Sequence, residues 1–125
     1  MRPGSYIIAI ALVTTLCGCV RRATAIEAQN VAGGNAAVGR HLVYAYGCGT
    51  CHVIPGIAEA KGTVGPPLAG FASRIYIAGS LLNAPDNLIH WVTKPKEINP
   101  GSAMPDLGVT DLQARDMAAY LYTLR

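Results

Sequence analysis

The sequence has no hydrophobic run long enough for an ordinary membrane-spanning helix, although 51% of its 125 residues are hydrophobic. Such a helix needs roughly 20 consecutive apolar residues, and the N-terminal run at 6–16 is shorter. Charge is also scarce, at 14% of residues, and Arg2, Arg21 and Arg22 account for the whole net charge of +3. The chain after these arginines is formally neutral, which gives no support to nucleic-acid binding.

The N-terminal run instead has the features of an export signal. Arg2 precedes it and the small-residue segment 17–19 follows it, as in secretory signals. Residues 1–22 are therefore predicted to form an export signal or lipoprotein-like leader. Segment 16–19 (LCGC) resembles the bacterial lipoprotein signal, which makes Cys19 a candidate for lipidation.

Two other fates of the leader stay open. Segment 23–25 (ATA) is an A-x-A cleavage site, and an uncleaved leader would act as an N-terminal anchor. Each fate places the protein in the periplasm or on the outer face of the cytoplasmic membrane, and lipidation or an anchor would tether it there. Residues 23–34 are small and polar, so we expect a linker before a domain at 35–125.

The domain lacks any strand-like alternation of apolar and polar residues, so an all-α fold is predicted. Asn35 is a candidate cap for a helix over 36–46. Its apolar residues at helical spacing are Val38, Leu42 and Ala45. Gly39 inside this helix costs about 1 kcal/mol relative to alanine, which suggests that a second helix approaches closely there.

Three further helical segments are predicted. A short one covers 71–76, and the next begins at Pro85 and ends before Pro95, since proline suits the first helical position and disfavours helix in the residue before it. The last helix begins at a capping box formed by Thr110 and Gln113. Its apolar face consists of Ala114, Met117, Ala118, Leu121 and Leu124.

About half of the domain is left as loop, because prolines and glycines dominate 53–70 and 95–108. So short a chain with so much loop is hard to stabilise by its own core. The domain therefore has the composition of a protein that packs around an additional apolar component.

Cysteine is rare in the domain, which contains only Cys48 and Cys51, and His52 follows directly. The pattern C-x-x-C-H is typical of haem c attachment, because two thiols one turn apart can form thioethers with two vinyl groups and the histidine can bind iron. A disulfide, a thiol redox pair and zinc are the alternatives. A thiol redox pair would be expected within a βαβ unit, which the sequence does not show, and zinc would need four ligands. One covalent haem c is therefore predicted.

The second axial ligand of the iron has four candidates in the sequence. Met117 fits the apolar face of the last helix, His41 is close to the attachment site in sequence, and His90 is expected to be exposed or hydrogen-bonded. Met104 lies between prolines in 99–105 (NPGSAMP), where restricted backbone angles can hold a side chain at little entropic cost. His52 and Met104 are therefore the predicted metal ligands.

These motifs together resemble the class I c-type cytochromes over residues 36–125. The matching segments are 48–52 (CGTCH), 65–68 (GPPL), Arg74, 88–95 (LIHWVTKP), 100–105 (PGSAMP) and 119–121 (AYL). The resemblance implies a class I cytochrome c fold, with three to five helices wrapped around one covalently bound haem. It also implies that the first and last helices cross at Gly39, against Met117 and Tyr120.

The same resemblance implies roles for further residues of the cofactor site. The Pro66 carbonyl is expected to accept the His52 N–H and so to fix the ring orientation. Arg74 is similar to the family arginine that pairs with a haem propionate. Trp91 matches the aromatic residue beside the methionine ligand, here Met104.

A narrower likeness is to the cytochrome domain of subunit II in caa-type haem–copper oxidases. It rests on 62–68 (GTVGPPL), 73–74, 77–79, Asn83 and Trp91. The likeness implies an electron carrier, not an enzyme, with a terminal oxidase or another redox protein as partner. The alternatives are a haem subunit of a periplasmic dehydrogenase, and a haem enzyme or gas sensor whose sixth iron position is open.

Overall fold

A computed structural model describes residues 30–125 of the chain. The predicted leader at 1–22, including Cys19, and most of the predicted linker lie outside these residues. Among the described residues, no helix is both long enough and apolar enough to cross a membrane. The α-helices are α1 (Ala36–Ala45), α2 (Pro85–Thr93), α3 (Pro95–Ile98) and α4 (Asp111–Leu121). The regular secondary structure of the domain is mostly helical, as predicted.

Helix α1 begins where its cap predicts, and its buried side contains Gly39. The Asn35 side chain accepts from the backbone N–H groups of Ala37 and Val38, at 3.0 and 3.2 Å. The buried residues of the helix are Gly39 and Val43, whereas Val38 is 43% exposed. The absence of a side chain at Gly39 thus decides which side of the helix packs, in agreement with the close approach predicted there.

Helices α1 and α4 cross at Gly39 with almost no space between their backbones. A Cβ placed on Gly39 would lie 1.8 Å from the backbone oxygen of Asp116 and 2.9 Å from the nitrogen of Met117. The Asp116 carboxylate also accepts from the Asn35 N–H at 2.7 Å. The crossing predicted at Gly39 is confirmed, with Asp116 and Met117, not Tyr120, closest to it.

We expect Gly39→Ala to destabilise the protein even though alanine is the better helix former. The new methyl group must push the two helices apart, and overpacking of this kind costs about 1–3 kcal/mol or more. Thermal or denaturant unfolding of the holoprotein measures this cost. A gain of about 1 kcal/mol, as at an exposed helical glycine, would contradict the close crossing.

Packing begins before Asn35. Val31, which falls within the predicted linker at 23–34, is 5% exposed and belongs to the core. A Cβ on Gly34 would lie 2.6 Å from the backbone oxygen of Arg115 in α4. The folded unit therefore extends upstream of 35 at least to Val31.

Two segments, 71–76 and 95–108, have a secondary structure that differs from the prediction. The helix expected over 71–76 is a single 3-10 turn, Phe71–Ser73, followed by an antiparallel pair of two-residue strands. These strands are β1 (Tyr76–Ile77) and β2 (Leu81–Leu82), and they pair Tyr76 with Leu82 and Ile77 with Leu81. Strands of two residues are too short to show an alternation of apolar and polar side chains. The segment 95–108, predicted as loop, contains the one-turn helix α3, which is likewise too short to show a helical period.

Helix α4 forms the centre of the core, as its sequence predicts. The Thr110 hydroxyl accepts from the Gln113 N–H and the Gln113 side chain accepts from the Thr110 N–H, so the capping box is confirmed. All five residues of the predicted apolar face are buried, although Leu124 lies beyond the helix end. This face looks towards α1 and α2, and the space that these helices leave is the candidate site.

Candidate functional site

An apolar cavity of about 420 Å³ lies between the helices and the loops. Its walls come from the end of α1, segments 46–52 and 64–68, the hairpin, α2, the 99–107 loop and α4. Among the lining residues that the structure describes, Arg74 carries the only permanent charge. The cavity has the apolar character that the loop-rich sequence predicts for a missing component.

The two cysteines lie on the cavity wall, Cys48 as the first residue of a 3-10 turn, Cys48–Thr50, and Cys51 as its C-terminal cap. Gly47 precedes this turn in the left-handed region, at φ 69°, which suits glycine because it has no Cβ. The Cys48 carbonyl accepts from the His52 N–H at 3.0 Å, so one turn carries both thiols and the histidine. The thiols are free and are not joined in a disulfide.

The acidity of the Cys48 thiol argues against a reactive redox pair. Burial, the main cause, raises the pKa of the Cys48 thiol above its ordinary value, and the neighbouring Cys51 raises it further. Reactive dithiols instead need a lowered thiol pKa. Within residues 30–125, no group of three or more His, Cys, Asp or Glu side chains is placed to hold a metal ion, so the zinc alternative gains no support.

The His52 ring is held by a neighbouring loop. Its Nδ1 lies 2.7 Å from the Pro66 carbonyl oxygen, and since a carbonyl can only accept, Nδ1 is the donor in this bond. This tautomer leaves Nε2 unprotonated and able to bind a metal. The expected contact between Pro66 and His52 is thus present in the structure.

Gly65 determines where that ring can lie. A Cβ on Gly65 would lie 2.2 Å from His52 Cε1 and 2.8 Å from Nε2. The ring therefore packs directly on the backbone of the 64–68 loop. Pro66 fixes the orientation of the ring, and the ring packs against the backbone of Gly65 because that residue has no side chain.

Arg74 lies on the cavity wall and is anchored through one nitrogen. Its Nη2 donates to the carbonyls of Pro67 and Ala69, the latter at 3.2 Å. Its guanidinium carbon lies 5.6 Å from the centre of the Phe71 ring. Among the described residues, Nε and Nη1 of Arg74 have no acceptor, so these two nitrogens remain as donors for an anionic group.

Met104 and Trp91 also line the cavity, and in sequence they lie after and before the 94–99 segment. The Met104 N–H donates to the Ser102 hydroxyl at 3.1 Å, and the Ser102 carbonyl accepts from Lys96 in α3. The Asn99 carbonyl in turn accepts from the Ser102 N–H at 3.0 Å. These bonds tie the Met104 loop to α3, so the methionine is placed by a structured segment.

The four candidates for the second axial ligand fall into two groups. His41 and His90 are exposed and do not line the cavity. The His90 ring lies 3.2 Å from the Glu97 carboxylate, as expected for a surface histidine. Met104 and Met117 both line the cavity, but Met117 is 1% exposed within the core of α4.

Sequence reasoning gave no role to several residues around the cavity. Tyr46 lines it and donates to Gln113 at 2.9 Å, which links α1 to the capping box of α4. Asn83 contributed only to the likeness with the oxidase cytochrome domain, and no sequence pattern indicates a role for Tyr122. Both depend on the hairpin and on contacts between distant segments, for which the sequence carries no periodic signal.

Comparison with known proteins agrees with this fold and site. The cytochrome c family matches residues 36–125, and the chain belongs to this family. Subunit 2 of cytochrome c oxidase from Alkalihalophilus pseudofirmus is 33% identical over 90 residues, which cover 70% of this chain and 25% of that protein. The chain thus spans about a quarter of the length of that relative. No solved structure matches the chain.

The protein is therefore a class I c-type cytochrome, related to an oxidase subunit. Family membership implies covalently bound haem c and a role in electron transfer. The described residues fit that group, because free thiols, an oriented histidine and a methionine surround one apolar cavity. The expectations for the cofactor class and the fold class agree with this finding.

Proposed function

We propose that this protein carries single electrons to a terminal haem–copper oxidase of a respiratory chain. In this proposal Cys48 and Cys51 would hold one haem c, and His52 and Met104 would bind its iron. The observation that carries the proposal is that these four side chains line the same apolar cavity. When bound, haem c supplies an iron that accepts and releases one electron, and His/Met ligation favours its ferrous state.

The protein's residues provide attachment, ligation and a dry surrounding. Cys48 and Cys51 would hold the group through thioether bonds to its two vinyl groups, and because a thiol and a vinyl group combine without loss of atoms, no oxidant would be needed. His52 offers Nε2 because Pro66 occupies Nδ1. The apolar walls exclude water, which adds to the preference for the less charged state. Among residues 30–125, no Asp, Glu or Lys side chain lines the cavity and its one histidine is the proposed iron ligand, which favours a carrier over an enzyme.

The rim of the cavity supports an uncharged docking face. Val64 and Leu107 both line the cavity and are 70% and 41% exposed. The formal charges after the N-terminal arginines also balance. We therefore propose that a redox partner docks on this rim mainly through apolar contact, which makes association weakly dependent on salt.

Stopped-flow oxidation of the reduced protein by a haem–copper oxidase, at low and high salt, tests this proposal. We expect efficient oxidation that changes little with salt, whereas a steered pair would lose roughly tenfold or more. Val64→Lys should slow oxidation, and Val38→Lys is the matched control because Val38 is exposed on α1 away from the cavity. Equal effects of the two lysines, or a steep fall with salt, would contradict docking at the rim.

We also propose that the protein is exported and tethered to the outer face of the cytoplasmic membrane. The support is the composition of residues 1–22, with Cys19 in a lipoprotein-like box. The mass of the mature protein distinguishes a lipid on Cys19, cleavage after 25 and an intact leader. A chain found in the cytoplasm with an unmodified N-terminus would contradict export.

A further inference from the structure

Asn83, at the end of the hairpin, joins three segments of the chain that are distant in sequence. Its Nδ2 donates to the carbonyls of Phe71 and Arg74, at 2.9 and 3.0 Å. Its Oδ1 accepts from the Tyr122 hydroxyl at 3.0 Å. One side-chain amide therefore binds the two ends of the 71–74 turn and the C-terminal segment at once.

The direction of these hydrogen bonds is fixed by the partners. The two backbone carbonyls can only accept, so the NH2 group of Asn83 must face them. Tyr122 then has to donate, and burial raises the pKa of Tyr122 to about 12, so its hydroxyl keeps its proton at physiological pH. The Tyr122 ring is 6% exposed and lies 5.9 Å from the Phe71 ring, which holds the hydroxyl in place.

The turn that Asn83 clamps is part of the cavity wall, whereas Asn83 is not. Phe71 and Arg74 both line the cavity, and Asn83 and Tyr122 lie behind them. The Arg74 guanidinium lies against the Phe71 ring and donates to the Pro67 and Ala69 carbonyls. The placement of this cation thus depends on the backbone that Asn83 holds.

We propose that Asn83, oriented by Tyr122, is a positioning residue for Arg74 and thereby raises the reduction potential of the bound cofactor. The inference rests on the proposed function, because it concerns the haem that the cavity would hold. A cation at the cavity wall favours the reduced state, since that state carries one positive charge less. Asn83 does not line the cavity, so we assign its influence to Arg74, which is the charged residue of the turn that Asn83 holds.

Equilibrium redox titration of the holoprotein against a reference mediator tests this role. Arg74→Gln should lower the equilibrium constant for reduction about tenfold, as expected for one partly buried charge. Asn83→Leu should lower it in the same direction by about threefold or more. In the Arg74→Gln background, Asn83→Leu should change it by less than about twofold, because residues that act through each other are not additive.

A pair of tyrosine variants separates positioning from a general loss of packing. Tyr122→Phe keeps the ring beside Phe71 and removes only the hydroxyl that orients Asn83, so it should also lower the constant. Tyr120→Phe is the matched control, because Tyr120 is close to Tyr122 in sequence. The Tyr120 hydroxyl donates to the Pro55 carbonyl at 2.8 Å. It should leave the constant unchanged although it removes a similar hydrogen bond.

Two results would overturn the inference. One is an effect of Asn83→Leu that persists undiminished in the Arg74→Gln background, and the other is an equal shift for the two tyrosine variants. Should Asn83→Leu fail to fold, Tyr122→Phe takes its place and is measured alone and in the Arg74→Gln background. Failure of the proposed function looks different, because a wild-type protein without covalent haem would give no haem potential to measure.

Discussion

Replacing Met104 with leucine is expected to open the sixth iron position. The reduced variant should bind carbon monoxide readily, while the wild type should not, and the near-red band that methionine sulfur gives with ferric haem should vanish. The reduction potential should also fall, because methionine ligation raises it. Absorption spectra of the reduced protein with and without carbon monoxide measure the change.

Met117 provides the control for this experiment. It lines the same cavity and is 1% exposed, so Met117→Leu changes a methionine of the same wall. We expect the Met117 variant to keep the near-red band and to exclude carbon monoxide. The reverse pattern would move the ligand to α4, and binding of carbon monoxide by the wild type would favour the enzyme or gas-sensor alternative.

The second large effect is expected at Gly65. A methyl group there would lie 2.2 Å from His52 Cε1, so Gly65→Ala must displace the ring or the loop. We expect a marked loss of assembled holoprotein, and in the remainder a weakened bond between His52 and Pro66, which makes the imidazole a less basic ligand and raises the reduction potential. Haem content per polypeptide and redox titration measure both effects.

A neighbouring loop supplies the control for Gly65. Gly101→Ala places its methyl group 3.5 Å from the Asn99 side chain, which is an ordinary contact distance. This variant should assemble and titrate like the wild type. If Gly65→Ala behaved in the same way, His52 would not be seated on the backbone of Gly65.

Local chemistry made part of this fold predictable from sequence. The Asn35 cap, Pro85 at the start of α2 and the capping box at Thr110 each act within a few residues. The structure places each helix start where these signals predict. The C-x-x-C-H segment is equally local, because one turn brings the thiols and the histidine together.

Other features could not be predicted because they depend on distant contacts. The buried face of α1 is set by the backbone of α4 at Gly39, not by the larger side chains of α1 itself. The hairpin is too short to show a period of two, and Asn83 finds its partners only after the hairpin and the C-terminal segment meet. The resemblance to a known family was needed to expect Pro66 beside His52.

The central claim is that Cys48 and Cys51 attach one haem, and a peptide mass tests it most directly. Trypsin cleavage after Arg40 and Lys61 releases a peptide of 41–61 that contains both cysteines and His52. For protein exported from a cell able to mature c-type cytochromes, we predict that this peptide carries the mass of one haem and that neither thiol can be alkylated. A colourless peptide with two alkylatable thiols, or with a disulfide between them, would contradict the account.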